Sequence, residues 1–239
     1  AVPLVREALQ IERQFFGPDH PHVAYSLEDL GGHLIEVGEF KDAEKVLIEA
    51  RNLFEKLNGK DHSTVGYVTA FLGKCVLLQE RHAEAKLFFE KVLAMQHGLE
   101  ELSSDLVAAI HYNLAIILLQ EGEIEAAEAK CREAMALREG AEVPGQSTLA
   151  DVHSLLALTL ARQGEDVSAE AAFRKAIAIK ENLGEKNSEL VMALDGLADL
   201  LGKQRKNIGE VEKLRRSILG LQKELHGDQH PEVASALAD

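Results

Sequence analysis

Apolar residues in this chain recur at three- and four-residue spacing, in blocks separated by short polar turns. Val23, Leu27, Leu30, Leu34 and Val37 form one stripe, and Phe40, Ala43, Val46, Leu47, Ala50, Leu53 and Leu57 form the next. That period belongs to amphipathic helices that each bury one face. Gly38-Glu39 separates the two stripes and Gly59 follows the second, so the spacing predicts two helices joined by a tight turn and closed by a helix-stopping glycine. Before the first stripe stands Asp19-His20-Pro21. A polar cap followed by proline suits a helix start, where the missing proline N–H costs little.

The same pattern returns along the chain. Gly17-Pro18-Asp19-His20-Pro21-His22-Val23-Ala24 reappears as Gly227-Asp228-Gln229-His230-Pro231-Glu232-Val233-Ala234, five steps of 42 residues later. Gly59-Lys60-Asp61-His62 lies one step along. Ala43, Ala85, Ala127 and Ala169 share the step, as do Leu30, Leu72, Leu114 and Leu156. Gly38, Gly122 and Gly164 fall in register, with Glu80 in the second unit. The fifth unit slips by one, because Leu197-Ala198 lie 41 residues after Leu156-Ala157, and one extra residue near 203–207 restores the phase. A fixed period of this length marks stacked repeats, in which neighbours bury what no single unit can. The chain is thus expected to be all-α, with about twelve helices. Residues 1–16 are read as the second helix of a preceding unit, 17–58, 59–100, 101–142, 143–183 and 184–226 as full units, and 227–239 as the start of another. Four prolines fall at or near helix starts, and Pro144 is placed in a linker.

Two helices approach closely only where one side chain at the crossing is small. Gly31, Gly73, Ala115, Ala157 and Ala198 supply this on first helices, facing Leu47, Phe89 and Phe173 on second helices. Arg215 interrupts the series, standing where Leu47, Phe89, Cys131 and Phe173 stand earlier. Either its helix is rotated, with Val211, Leu214, Ile218 and Leu221 as the stripe, or that pair is distorted.

Leu30-Gly31, Leu34, Gly38, Phe40, Ala43, Leu47 and Ala50 together resemble the tetratricopeptide repeat. The 42-residue period and the Gly-x-Asp-His-Pro linker resemble its kinesin-light-chain subtype. The resemblance implies a right-handed α-solenoid whose first helices line a concave groove for a peptide, a linear motif or a partner domain. It places Tyr25, Glu28, Tyr67, Lys74, Leu77, Tyr112, Asn113, Ile116, Leu119, Leu158 and Arg162 on the groove. The other reading of each is packing against a neighbouring helix. Kinesin light chains read Leu-Asn-Asn-Leu-Ala on the first helix, whereas this chain keeps only Asn113 of those asparagines. The lysine–asparagine–arginine clamp of chaperone-binding members is absent from the corresponding positions. The implied surface is apolar and dotted with tyrosine, which suits an amphipathic helix or an apolar extended segment.

Composition narrows the classes. Of 239 residues, 46% are hydrophobic and the formal net charge is −14, which counts against nucleic acid or anionic lipid as the main partner. Two cysteines build no disulfide framework, so a reducing intracellular compartment is expected, cytoplasmic by default with an organellar matrix open. No apolar run is long enough to span a membrane, and no basic-then-apolar leader opens the sequence. The charge is uneven: 100–142 is strongly acidic, whereas Lys203, Arg205, Lys206, Lys213, Arg215, Arg216 and Lys223 make a basic last full unit. That asymmetry suits steering of a partner, self-association, or a solvated helix face.

Candidate chemistry is sparse. His20, His62 and His230 recur with the linker and have no third ligand, so no metal is expected. His111 and His153, 42 residues apart, are read as lying between stacked helices. Cys131 takes a core position, and no phosphate-binding glycine loop or nucleophile elbow occurs. The expectation is a non-catalytic interaction scaffold without cofactor, alternatively a self-assembling module or the regulatory region of a longer protein. At the crossings, Ala127→Phe overpacks the helix pair, and a loss of about 1–3 kcal/mol is expected in chemical denaturation.

Overall fold

The predicted stripes fold as helices. The computed structural model describes residues 2–95, 102–138, 143–205 and 207–238. Among the described residues there are twelve α-helices and no strand. They form two compact units, residues 1–113 and 114–239. The first holds α1 (Val2–Phe16), α2 (Pro21–Glu36), α3 (Phe40–Asn58), α4 (Ser63–Leu77), α5 (His82–Met95) and the start of α6 (Ser104–Glu121). The second holds the rest of α6, then α7 (Ile124–Arg138), α8 (Val143–Gln163), α9 (Asp166–Asn182), α10 (Ser188–Lys203), α11 (Ile208–His226) and α12 (Pro231–Ala238). The repeat boundaries expected at 100/101 and 142/143 involve residues outside the described ones. Pro144, assigned to a linker from the sequence, belongs to the first turn of α8.

Several helix starts and turns have a local cause. The recurring linker histidine is the N-cap, not the aspartate before it. His20 Nδ1 accepts from the His22 amide at 3.2 Å, His62 Nδ1 from the Thr64 amide at 3.2 Å, and His230 Nδ1 from the Glu232 amide at 3.3 Å. Such a cap satisfies one of the orphan amides of the first turn. The turns inside the pairs have a left-handed residue in common, namely Gly38 (φ 80°), Glu80 (61°), Gly122 (82°), Gly164 (82°) and Arg205 (52°), and the last turn adds Asn207 (52°). From the common residue to the next helix is two residues in four pairs and three in the last, since α11 begins at Ile208. The extra residue inferred from the phase slip therefore lies in this turn.

Consecutive helices pack from α1 through α5 and from α7 through α12, and first helices also touch, α2 with α4 and α8 with α10. The closest approaches occur at glycine. A Cβ on Gly31 would lie 2.4 Å from Leu47 Cδ2, and one on Gly73 would lie 2.6 Å from Phe89 Cε1. Both large partners are fully buried, so side-chain size at the crossing sets the spacing of the pair. Gly196 of α10 makes a similar approach between pairs, since its Cβ would meet the ring of Phe173, on α9 of the preceding pair, at 2.5 Å. Ala198, the expected member of the series, is buried as well.

The last pair keeps its packing but changes its chemistry. Arg215 is half-buried on α11 and pairs with Asp195 and Asp199 of α10. Ile218 and Gln222 are the buried residues of α11, with Val211, Leu214 and Leu221 half-buried beside them. An ion pair has replaced the apolar plug. The left-handed turns generate a second expectation. Glu80 holds a backbone conformation that glycine adopts freely, so Glu80→Gly should raise stability by about 0.5–1 kcal/mol, read as a higher denaturation midpoint with an unchanged slope.

Candidate functional site

The first helices present the positions expected to receive a partner. In the 1–113 unit, Tyr25 of α2 is 50% exposed, and its ring meets Phe54 of α3 edge-on at 5.0 Å. The tyrosine is thereby fixed in orientation while much of its surface stays in solvent. Glu28, one turn along α2, is half-buried and makes no hydrogen bond or ion pair among the described residues. Burial, and then the neighbouring Asp29 charge, push its carboxyl up to about 7. On α4, Tyr67 is half-buried and donates its hydroxyl to Ser103 Oγ at 2.6 Å, while Lys74 is exposed. Leu77 is only 8% exposed and contributes mainly to packing. On α6, Tyr112 and Asn113 are half-buried, and Asn113 Nδ2 donates to the Ala109 carbonyl at 2.8 Å. Asn113 thus spends one of its donors on its own helix.

In the 114–239 unit, Ile116 and Leu158 are half-buried. Leu119 is 6% exposed and buried by its neighbours. Its carbonyl accepts from Arg162 Nη1 at 2.8 Å, which draws that side chain from α8 onto α6. Within the basic segment, Arg216 pairs with Glu212 at 2.6 Å and Lys223 with Asp228 at 3.4 Å, beside the paired Arg215. Lys203, Arg205 and Lys213 are exposed, and Lys206 lies outside the described residues. Three of the segment's seven basic residues are therefore matched within the chain.

Several buried polar groups were not signalled by the repeat pattern. Lys180 of α9 is fully buried and pairs with Asp151 of α8 at 2.7 Å and with Glu185 at 3.1 Å. Burial opposes its charge, but the hydrogen bonds and charges of Asp151 and Glu185 prevail and raise its pKa. Glu185 also accepts from Asn187 Nδ2 at 3.1 Å, and Asn187 Oδ1 caps α10 through the Leu190 amide at 3.0 Å. Three helices are tied through one ammonium. The register gives a signal in retrospect: Lys180 stands three steps after Phe54, and Asp151 three steps after Tyr25. A matched change of both partners, from aromatic to charged, is visible once the contacting positions are known.

His153 is buried as the sequence implied, but its Nε2 has no hydrogen-bond partner among the described residues. Burial, and then the charge of Lys175, lower its pKa to about 4, so it is neutral at physiological pH. Cys75 and Cys131 are both buried. Burial and then Glu128 push the Cys131 thiol up to about 12, the opposite of what a nucleophile needs. Among the described residues no group of three or more His, Cys, Asp or Glu is placed to hold a metal ion, and no helix is long and apolar enough to cross a membrane.

Comparison with known proteins follows this geometry. A tetratricopeptide-repeat family model matches residues 26–96 and 106–182, more than half of the chain. A curated relative, the clustered mitochondria protein homolog of Candida albicans, is 26% identical over 91 residues. That match takes in 38% of this chain and 7% of the relative's length. Among solved structures, BtubC (BKLC) from P. vanneervenii superposes with a TM-score of 0.73 at 21% identity, covering 96% of this chain and 92% of its own. The kinesin-light-chain TPR-like repeats from Podosopora anserina give a TM-score of 0.62 at 17% identity, covering 86% and 97%. PlcR of Bacillus thuringiensis, in complex with the peptide PapR7 and DNA, gives 0.67 at 14%, covering 90% and 73%. At these identities the likeness is one of fold, and it includes kinesin-light-chain-like repeats.

Glu28 provides a measurable consequence of the site's electrostatics. Its folded pKa lies above the ordinary value of 4.5, so its favourable contribution is complete below pH 4.5 and is lost as pH rises through 7. Glu28→Gln is permanently neutral. It should be more stable than the parent by about 1–2 kcal/mol at pH 8, after allowance for solvent reaching the half-buried carboxyl, and equal to it near pH 4. Urea midpoints across that pH range test this.

Proposed function

The chain belongs to the tetratricopeptide repeat family, and from that membership we propose that it is a non-catalytic interaction scaffold that receives a peptide or partner protein on its first-helix faces. Such repeats commonly build surfaces for protein–protein interaction. Glu28 carries the reading: a half-buried carboxylate on the face of α2 with no partner of its own. Held this way it destabilises the neutral-pH fold, and a group retained at such a cost marks a place where an external donor completes it. Tyr25 supplies a large oriented surface one turn away, and exposed Lys74 lies on α4, the first helix touching α2. An aromatic anchor beside a polar group is the usual makeup of a binding hot spot. The fold likeness to PlcR, whose structure holds a peptide, is in keeping with a peptide as ligand. The further positions Tyr67, Tyr112, Asn113, Ile116, Leu158 and Arg162 extend the proposed faces, with Leu77 and Leu119 beneath them as support.

The test uses a partner recovered by affinity purification from the native source and then purified. Tyr25→Ala, Glu28→Gln and Lys74→Ala combined should weaken its binding by at least about tenfold, the loss of one to two hot-spot contacts, while circular dichroism stays unchanged. Unaltered affinity in that variant would place the site elsewhere.

A further inference from the structure

One position in the α10–α11 pair departs from the rule of its own repeat, and a second holds a buried polar group. Arg215 stands where Leu47, Phe89, Cys131 and Phe173 are sealed in the core, and Gln222 follows Gln96, Arg138 and Lys180 in a register that is apolar only at Phe54. Local choices that contradict an otherwise consistent pattern concentrate at functional sites. Both residues line one cavity of about 480 Å³, walled by α10, α11 and α12 within the 114–239 unit. Met192, about half exposed, and buried Ile218 give it an apolar side. Asp195 and Glu232 give it an acidic one. Gln222 is 8% exposed, and its Oε1 has no hydrogen-bond partner among the described residues. Arg215 is paired with Asp195 and with Asp199, which lies outside the lining, and of the charged residues that line the cavity Asp195 and Glu232 outnumber Arg215 by one.

We infer that this cavity accepts a cationic side chain, arginine above lysine, from the peptide partner. Its methylenes lie along Met192 and Ile218, and its N–H groups donate to the Gln222 amide oxygen and the acidic wall. A guanidinium is favoured because its planar array of donors reaches separate acceptors at once, whereas an ammonium concentrates its charge at one point. An anion is opposed by the excess charge of the wall. The inference takes from the peptide-binding reading only the source of the side chain, and the chemistry of the cavity is tested without the partner.

The probe is Nα-acetyl-L-arginine N-methylamide, titrated into the whole isotope-labelled chain and followed by amide chemical shifts. Saturable shifts confined to α10, α11 and α12 are expected, with a dissociation constant on the order of 1–10 mM, as befits a single side chain. The lysine analogue should bind more weakly and the glutamate analogue not at all. Gln222→Leu removes the acceptor while keeping the volume, and should weaken the arginine probe about fivefold with thermal stability kept or raised. Glu232→Gln, on the exposed rim, should weaken it about twofold to threefold without touching the core. Parent-like binding in both variants, equal binding of the glutamate analogue, or no saturable shift overturns the inference. A chain that captures its partner but ignores the probe overturns the cavity assignment alone. A chain that binds the probe, but whose partner is indifferent to the first-helix substitutions, overturns the peptide-face reading and leaves the cavity.

Discussion

The structure depends on a size constraint at each helix crossing. Leu47 reaches the backbone of α2 only because Gly31 has no side chain there, and Phe89 does the same against Gly73. Once a pair is this close, its two apolar stripes face each other and the backbone hydrogen bonds stay inside the helices. The outer edges of the pair are then left to neighbouring pairs. Stacking follows because neither stripe is fully covered by its own partner. Positions on first helices that are only partly engaged in crossing or stacking keep surface for other uses, and Tyr25, Glu28 and Lys74 are among them.

Features set by backbone geometry were legible in the sequence. The 42-residue period, the glycine turns and the extra residue before α11 all appear as regular spacings, and the left-handed φ values at Gly38, Glu80, Gly122, Gly164 and Arg205 follow the same register. Side-chain assignments were less legible. The linker aspartate and histidine are adjacent, and spacing does not say which of them turns back onto the amides of the next helix; in the structure it is His20, His62 and His230. The burial of Leu77 and Leu119 depends on the bulk of residues from other helices, which periodicity within one helix does not encode. Glu28 combines both cases: Asp29 beside it is plain in the sequence, but the burial that matters more is not.

Charge acts locally here. The net −14 suggests a diffuse acidic coat, yet the structure resolves much of the charge into discrete pairs between helices. Arg81 joins Glu44 of α3 at 2.7 Å, Arg174 joins Glu210 of α11 at 2.7 Å, and Lys186 joins Glu224 of α11 at 2.7 Å. Exposed pairs of this kind add little stability each. They do favour one neighbour over another, and a repeat protein needs such discrimination because its units are alike. The same reasoning sets Glu28 apart, as a charge placed on a face without a neighbour to answer it.

The contact between Tyr25 and Phe54 and that between Asp151 and Lys180 occupy one register of the repeat. Near-identical segments in tandem can fold with a helix docked onto the wrong copy, a trap typical of repeat chains. Were α9 to dock against α2, buried Lys180 would face Tyr25 and keep only Glu185 of its two carboxylates; were α3 to dock against α8, Asp151 would be pressed against Phe54 without its ammonium. Either mismatch leaves a charge less well answered, which is unfavourable away from solvent. The two contacts therefore act as a lock and key between copies, so that a chain made of similar parts still assembles them in order.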